Sequence, residues 1–199
     1  IILLAAALAI AMPVPAHDQA FASSNPGLPS SLGRITIATY NVKNFFDVFD
    51  NPYTEDETTP VKARSGVLLL ADAITAMDAD IVTFQELENE PLLEAFVAEF
   101  LPDMGYDHVA ATPTNDRRGI TLGIISRLPI DRITSYRFRR LHVAGDDRTW
   151  RFARNLVQIT IRIDPKTTLD LFAAHLKSKR NSENDRKSAQ WRLAEAMEI

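Results

Sequence analysis

The chain has 199 residues, 46% of them hydrophobic, with a formal net charge of -4 and no cysteine. That length sustains one substantial core, and 24% charged residues with a mean hydropathy of -0.10 argue against disorder. The lack of cysteine excludes disulfides, thiolate metal sites and cysteine nucleophiles, and it leaves structural zinc a poor fit.

Residues 1–12 form an uncharged apolar run, too short to span a membrane and matched in length to the core of an export signal. A buried helix is the alternative. Small residues offer cleavage after Ala16 or Ala22, so 1–22 reads as a signal peptide. Neither an initiator Met nor a basic leader precedes it, so its start reads as clipped. Residues 23–33, rich in Ser, Pro and Gly, read as a linker to a domain over 34–199. Arg34–Tyr40 alternates like a strand and ends at Asn41. Asn51–Pro60, acidic and Pro-bounded, reads as a loop. Val61–Met77 places Val67, Leu70, Ile74 and Met77 at helical spacing.

Asp80–Asn89 is the stretch around which the chain is organised. Ile81-Val82-Thr83-Phe84 reads as a buried strand, and Gln85, Glu86, Glu88 and Asn89 read as its carboxyl end, where α/β sheets hold ligands. A carboxylate there is expensive to bury unless a divalent cation compensates it. Glu88 reads instead as solvent-facing or as a cap. Pro91 suits a helix first turn, with Leu92, Leu93, Phe96, Val97 and Phe100 inward. Tyr106–Ala110, Ile120–Ser126 and the segment after Leu128-Pro129-Ile130 read as strands.

The charge is segregated along the chain. Residues 1–116 carry 4 basic and 17 acidic side chains, whereas 117–154 carry 10 Arg and 3 Asp. This sets an acidic region beside a phosphate-attracting one, unless both are merely solvated faces. Gly145-Asp146-Asp147 marks a turn. Val157, Ile159, Ile161 and Ile163 alternate with polar residues as a half-exposed strand. Leu169–Ala174 reads as a buried strand ending at His175, and Glu183–Glu198 as a helix. Hairpin-linked strands with few helices indicate an α+β fold of stacked sheets flanked by helices.

Three strand ends thus place a polar group just past an apolar run: Asn41, Glu86 and His175. Brought to one sheet edge, they would form a metal and phosphate site. The carboxylate would bind Mg²⁺, the amide would position an oxygen, and the imidazole would hydrogen-bond a phosphoryl group. Taken singly, Asn41 reads equally as a turn cap, Glu86 as an ion-pair partner and His175 as a satisfied core residue.

Four segments carry a resemblance: Thr39-Tyr40-Asn41-Val42, Asp80 to Glu86, Gly123-Ile124-Ile125-Ser126-Arg127-Leu128-Pro129-Ile130, and Ala174-His175-Leu176-Lys177-Ser178-Lys179. Together the sequence resembles the endonuclease/exonuclease/phosphatase superfamily of metal-dependent phosphoesterases, most closely its secreted bacterial nuclease branch. The resemblance implies a four-layer α/β/β/α sandwich of two mainly antiparallel sheets, incomplete at the C-terminus. It implies Asn41 positioning the phosphate or nucleophile, Glu86 binding Mg²⁺ (Mn²⁺ or Ca²⁺ as substitutes) and His175 contacting the scissile phosphate. Arg154, Lys177 and Arg118 become phosphate-side candidates. The family's Gly-Asp-Xaa-Asn and Ser-Asp-His segments, which orient and deprotonate the attacking water, do not occur here. Gly145-Asp146-Asp147 and Tyr106-Asp107-His108 are out of order for them. The expectation is a C-terminally clipped chain with little activity, from a monomeric, secreted or periplasmic phosphodiesterase acting on DNA or RNA and holding no stable membrane contact. A phospholipid or inositol-phosphate phosphodiesterase is the alternative within the fold, and a non-catalytic binding module the alternative outside it.

Overall fold

The computed structural model describes residues 2–5, 34–179 and 186–199. The rest of the expected leader, the 23–33 linker and the start of the last predicted helix lie outside the described residues. Strands β1 (Ile2–Ala5), β2 (Ile37–Phe45), β3 (Ile81–Leu87), β4 (His108–Ala111), β5 (Thr121–Ser126), β6 (Ile130–Ser135), β7 (Leu141–Val143), β8 (Asp146–Trp150), β9 (Leu156–Asp164) and β10 (Thr167–Ala174) alternate with helices α1 (Arg64–Met77), α2 (Glu90–Phe100) and α3 (Arg186–Glu198).

One sheet runs β2-β3-β5-β4 and the other β1-β10-β9-β6, with β7-β8 a separate hairpin. Pairing is antiparallel except for β2 with β3 and β1 with β10. Alternation along each strand sorts side chains into layers. Val82, Phe84 and Leu87 of β3 join Leu70 and Ile74 of α1 and Leu93 and Phe96 of α2 in one core. Ile81, Leu122 and Ile124 meet Val157, Ile159, Ile161 and Leu171 between the sheets. Leu141, Trp150 and Phe152 pack with Ala194 of α3 over the second sheet's outer face. The result is the expected α+β four-layer arrangement.

Local chemistry explains the helix boundaries. Asn89 caps α2, its side chain accepting from the Leu92 N–H at 2.8 Å, and Pro91 occupies the first turn. Asp78 closes α1 in the left-handed region, its N–H reaching the Ile74 and Thr75 carbonyls. Gly123 makes the packing over β5 feasible, since a Cβ there would stand 2.6 Å from Leu87 and 2.9 Å from Leu93.

Two elements, β2 and β10, differ from expectation, and a third gains detail around its expected turn. β2 does not end at Tyr40: Lys43 and Asn44 take positive φ, and the strand rejoins β3 at Phe45 opposite Leu87. The Arg-rich 138–154 segment folds as the β7-β8 hairpin around Gly145 (φ 79°). β10 is only half buried, because α3 covers no more than part of its outer face.

Candidate functional site

Glu86 sits on a β-bulge. Gln85 pairs with Leu122 and Leu87 with Thr121, so β3 spends one extra residue against β5, and β2 sets three residues, 42–44, against the single residue 86 of β3. Plain alternation after Val82 and Phe84 would send residue 86 into the helix-side core. The extra residue returns Leu87 to that core and frees Glu86, at the expense of a left-handed backbone (φ 65°) that a non-glycine residue seldom adopts.

The freed carboxylate meets two of the other expected residues. Asn41 donates from Nδ2 to Glu86 Oε1 at 3.1 Å, and His175 Nε2 lies 3.8 Å from the same oxygen. The Lys43 N–H donates to Asn41 Oδ1 at 2.9 Å, which fixes the amide with its NH₂ toward Glu86. His175 follows directly on β10. Burial, then the positive charge of Arg154, pushes its pKa down to about 4, against the opposing pull of Glu86 and Asp116. The ring is therefore neutral at pH 7, and its Nδ1 is buried without a hydrogen-bond partner.

Arg154 and Arg118 gather on Asp116. The buried Arg154 Nε faces Asp116 Oδ2 at 3.1 Å, an ion pair not aligned as a hydrogen bond, while its Nη1 donates to the Leu176 carbonyl at 3.1 Å. One guanidinium thus joins the 116 turn to the segment carrying His175. Arg118 Nε stands 3.7 Å from Asp116 Oδ1. Asn115 anchors the turn by donating to the Arg137 and Phe152 carbonyls at 2.6 and 2.9 Å. Lys177 does not join this group: its ammonium lies 5.3 Å from the Trp191 ring centroid and its N–H donates to Glu195.

Glu88 corrects the reading of a solvent-facing or capping residue. It is buried, its Oε2 accepts from the Asp47 N–H at 2.8 Å, and burial raises its pKa. The reason is its place just past the bulge, where its own N–H bonds to the Phe45 carbonyl and draws it under the β2 end.

Two residues escaped the sequence reading. Asp116, between Asn115 and two arginines, offered a signal in that crowding of charge. Glu195 is fully buried and accepts from the Ala153 and Lys177 N–H groups, both at 2.7 Å. Its only trace in the sequence is an acid set between Ala194 and Ala196.

The Glu86 carboxylate suits a hard divalent cation: no Lys or Arg is ion-paired to it among the described residues, the Asn41 NH₂ holds its Oε1, and His175 Nε2 stands beside the same oxygen. A separate acidic group, Asp50, Asp56 and Glu57, lies in the loop after β2.

The sequence matches the model of the Endonuclease/Exonuclease/phosphatase family over residues 36–198. No curated protein is significantly similar to the chain. Among solved structures it is similar to an endonuclease/exonuclease/phosphatase from Beutenbergia cavernae (17% identity, TM-score 0.52, covering 82% of this chain and 43% of that one). It is also similar to a β-hairpin deletion mutant of beta toxin from Staphylococcus aureus (13% identity, TM-score 0.51, covering 83% of this chain and 59% of that one). At these identities the likeness is one of fold, and the chain spans about half the length of either structure.

Proposed function

The chain belongs to the endonuclease/exonuclease/phosphatase family, and from that premise we propose that the whole protein is a divalent-metal-dependent phosphodiesterase, a nuclease acting on DNA or RNA outside the cytoplasm. Members of the family are hydrolytic enzymes acting on phosphodiester bonds. The observation that carries the reading is the meeting of Asn41, His175 and Glu86 on one carboxylate oxygen, with Arg154 held close by.

In this reading Glu86 holds the metal, Mg²⁺ first, which when bound offsets negative charge on the phosphate oxygens. Asn41 keeps the carboxylate in place through its Nδ2 hydrogen bond. His175, neutral by burial, presents an N–H to a non-bridging oxygen and adds no charge of its own in the resting state. Arg154 supplies fixed positive charge from a buried position, where it acts without the screening that exposed cations suffer.

The Arg-rich segment supports polyanion binding less than its composition implies. Six of its ten arginines (117, 118, 127, 139, 148 and 154) are ion-paired to carboxylates of the chain. Val48, Phe49 and Tyr53, at 73%, 76% and 94% exposure on the loop after β2, favour the second reading, a phosphodiesterase working at a phospholipid surface. Competition between DNA and phospholipid vesicles for the full-length protein separates the two. Export is supported by the apolar run 1–12; cleavage would remove β1 from the edge of the second sheet, and N-terminal sequencing of the mature protein should find a start near residue 17 or 23. Among the described residues no helix is long and apolar enough to cross a membrane, and gel filtration should return a monomer.

The central test is Glu86→Gln in the full-length protein. Hydrolysis of a DNA or RNA substrate should need added Mg²⁺, stop with EDTA, and fall by about 10²–10³-fold in the variant. Turnover that survives chelation or this substitution overturns the proposal.

A further inference from the structure

The loop between β2 and α1 holds three carboxylates drawn together with no cationic side chain ion-paired to them among the described residues. Oxygens of Asp50, Asp56 and Glu57 lie within 4.8 Å of one another. Among the described residues none of the three is ion-paired to Lys, Arg or His. Like charges at that spacing repel, and the repulsion grows as water is withdrawn.

Two buried oxygens in the same place are unsatisfied. Asp56 is 6% exposed; its Oδ2 accepts from the Asn51 N–H at 3.0 Å, but its Oδ1 has no hydrogen-bond partner. Thr59 is 8% exposed and its Oγ1 is likewise unpartnered. Both line one cavity of about 260 Å³ together with Asp50 and Glu57. An orphaned buried oxygen is a standing cost that a ligand with positive charge removes. The donors are all oxygen, three of them anionic, with no histidine among the cavity's lining residues. That set suits a hard cation and tells against zinc or copper. Several carboxylates on an irregular loop suit calcium better than magnesium, which demands octahedral geometry and keeps its water.

We propose that this loop is a calcium site, separate from Glu86, formed by Asp50, Asp56, Glu57 and the Thr59 hydroxyl. Its effect reaches the candidate active site through neighbouring contacts. The Glu55 N–H donates to the Arg117 carbonyl at 2.7 Å, and the Glu55 carboxylate is paired with the Arg117 side chain. Thr54 packs against Gly119, lying 3.2 Å from where a Cβ there would stand. Arg117 and Gly119 belong to the turn that begins at Asp116, the partner of Arg154. A cation that orders the loop therefore steadies the wall on which Arg154 is held.

The test uses the full chain carrying Glu86→Gln, so that the other carboxylate site contributes nothing, titrated calorimetrically with CaCl₂ and, in parallel, with MgCl₂. One Ca²⁺ should bind per chain with a Kd of roughly 10 μM to 1 mM, more tightly than Mg²⁺. Bound Ca²⁺ should slow amide exchange over residues 50–59 and 115–119. Adding Asp50→Asn and Glu57→Gln should weaken binding at least about tenfold and abolish that protection. Both residues are exposed, so the variant keeps its fold, and its metal-free melting temperature should rise as repulsion is relieved. Failure of the Glu86→Gln chain to bind Ca²⁺, unchanged affinity in the triple variant, tighter binding of Mg²⁺, or a lowered metal-free melting temperature would each overturn the site.

Discussion

The two ends of β3 carry the same kind of side chain in opposite circumstances. Just ahead of the strand, Asp80 accepts from the Thr36 N–H at 2.7 Å and stands 3.5 Å from Arg127. Arg127 is itself tied to Asp78, to the Met104 carbonyl and to the Tyr106 ring. Every charge there is matched by neighbours within the chain. At the far end Glu86 is held on a strained backbone, shares one oxygen with Asn41 and His175, and has no Arg or Lys partner among the described residues. A saturated acid fastens a strand; an unmatched one, kept in place by strain and a single amide, is free for an external cation.

Removing one residue from each neighbourhood should separate rate from stability. His175→Gln, which keeps most of the buried volume, should lower metal-dependent hydrolysis about 10²-fold in the full-length protein while costing less stability than Asp80→Asn. Asp80→Asn should leave the rate within about twofold and cost about 1–2 kcal/mol of stability through its lost charge-assisted hydrogen bonds. The reverse pattern, read from rates and denaturant melts on the same two proteins, would erase the distinction.

Glu195 sharpens the comparison from the saturated side, since both of its oxygens serve backbone N–H groups 42 and 18 residues away. Glu195→Ala leaves the Ala153 and Lys177 N–H groups unsatisfied in a buried place and should cost about 2–4 kcal/mol. A loss below about 0.5 kcal/mol would show that water replaces the carboxylate without penalty.

The pH response follows from His175. Its pKa is about 4 in the fold and 6.5 in the unfolded chain, so between those values the unfolded chain binds more protons. The share of stability owed to His175 should be lost as pH drops from 6.5 toward 4, against the opposite contributions of Glu88 and Glu195, whose pKa values burial raises, and His175→Gln should remove that share. Equal slopes for variant and parent would contradict the buried, neutral imidazole.

The smallest effect isolates the bulge. Glu86→Gly and Glu86→Ala both remove the carboxylate, but only glycine accepts φ 65° freely, so the glycine variant should be the more stable by about 1 kcal/mol. Alanine equal to glycine would mean the left-handed position is not strained.

Much of the fold was legible because periodicity reports burial directly. Val67, Leu70 and Ile74 at helical spacing do line the core under α1, and Val157, Ile159, Ile161 and Ile163 do face inward from β9. The site was legible only as parts. Glu86 and His175 stand at strand ends, Asn41 at the break within β2, and Arg154 just ahead of β9. Lys177 was read as a phosphate-side candidate beside His175, but residues 175–179 continue no strand, and its ammonium turns to Trp191. Glu88 was misread because alternation cannot foresee an extra residue at position 86, and each inserted residue inverts the facing of those after it.

The sequence by itself determined where apolar faces lie, where strands and helices form and which polar residues end them, since these depend on local spacing and on the cost of burying charge. Only the tertiary structure decided that Asp116 holds Arg154 and that Glu195 bridges two segments. Such pairings depend on how distant segments are brought together and on which charges then lose their water, and neither is written in the order of neighbouring residues.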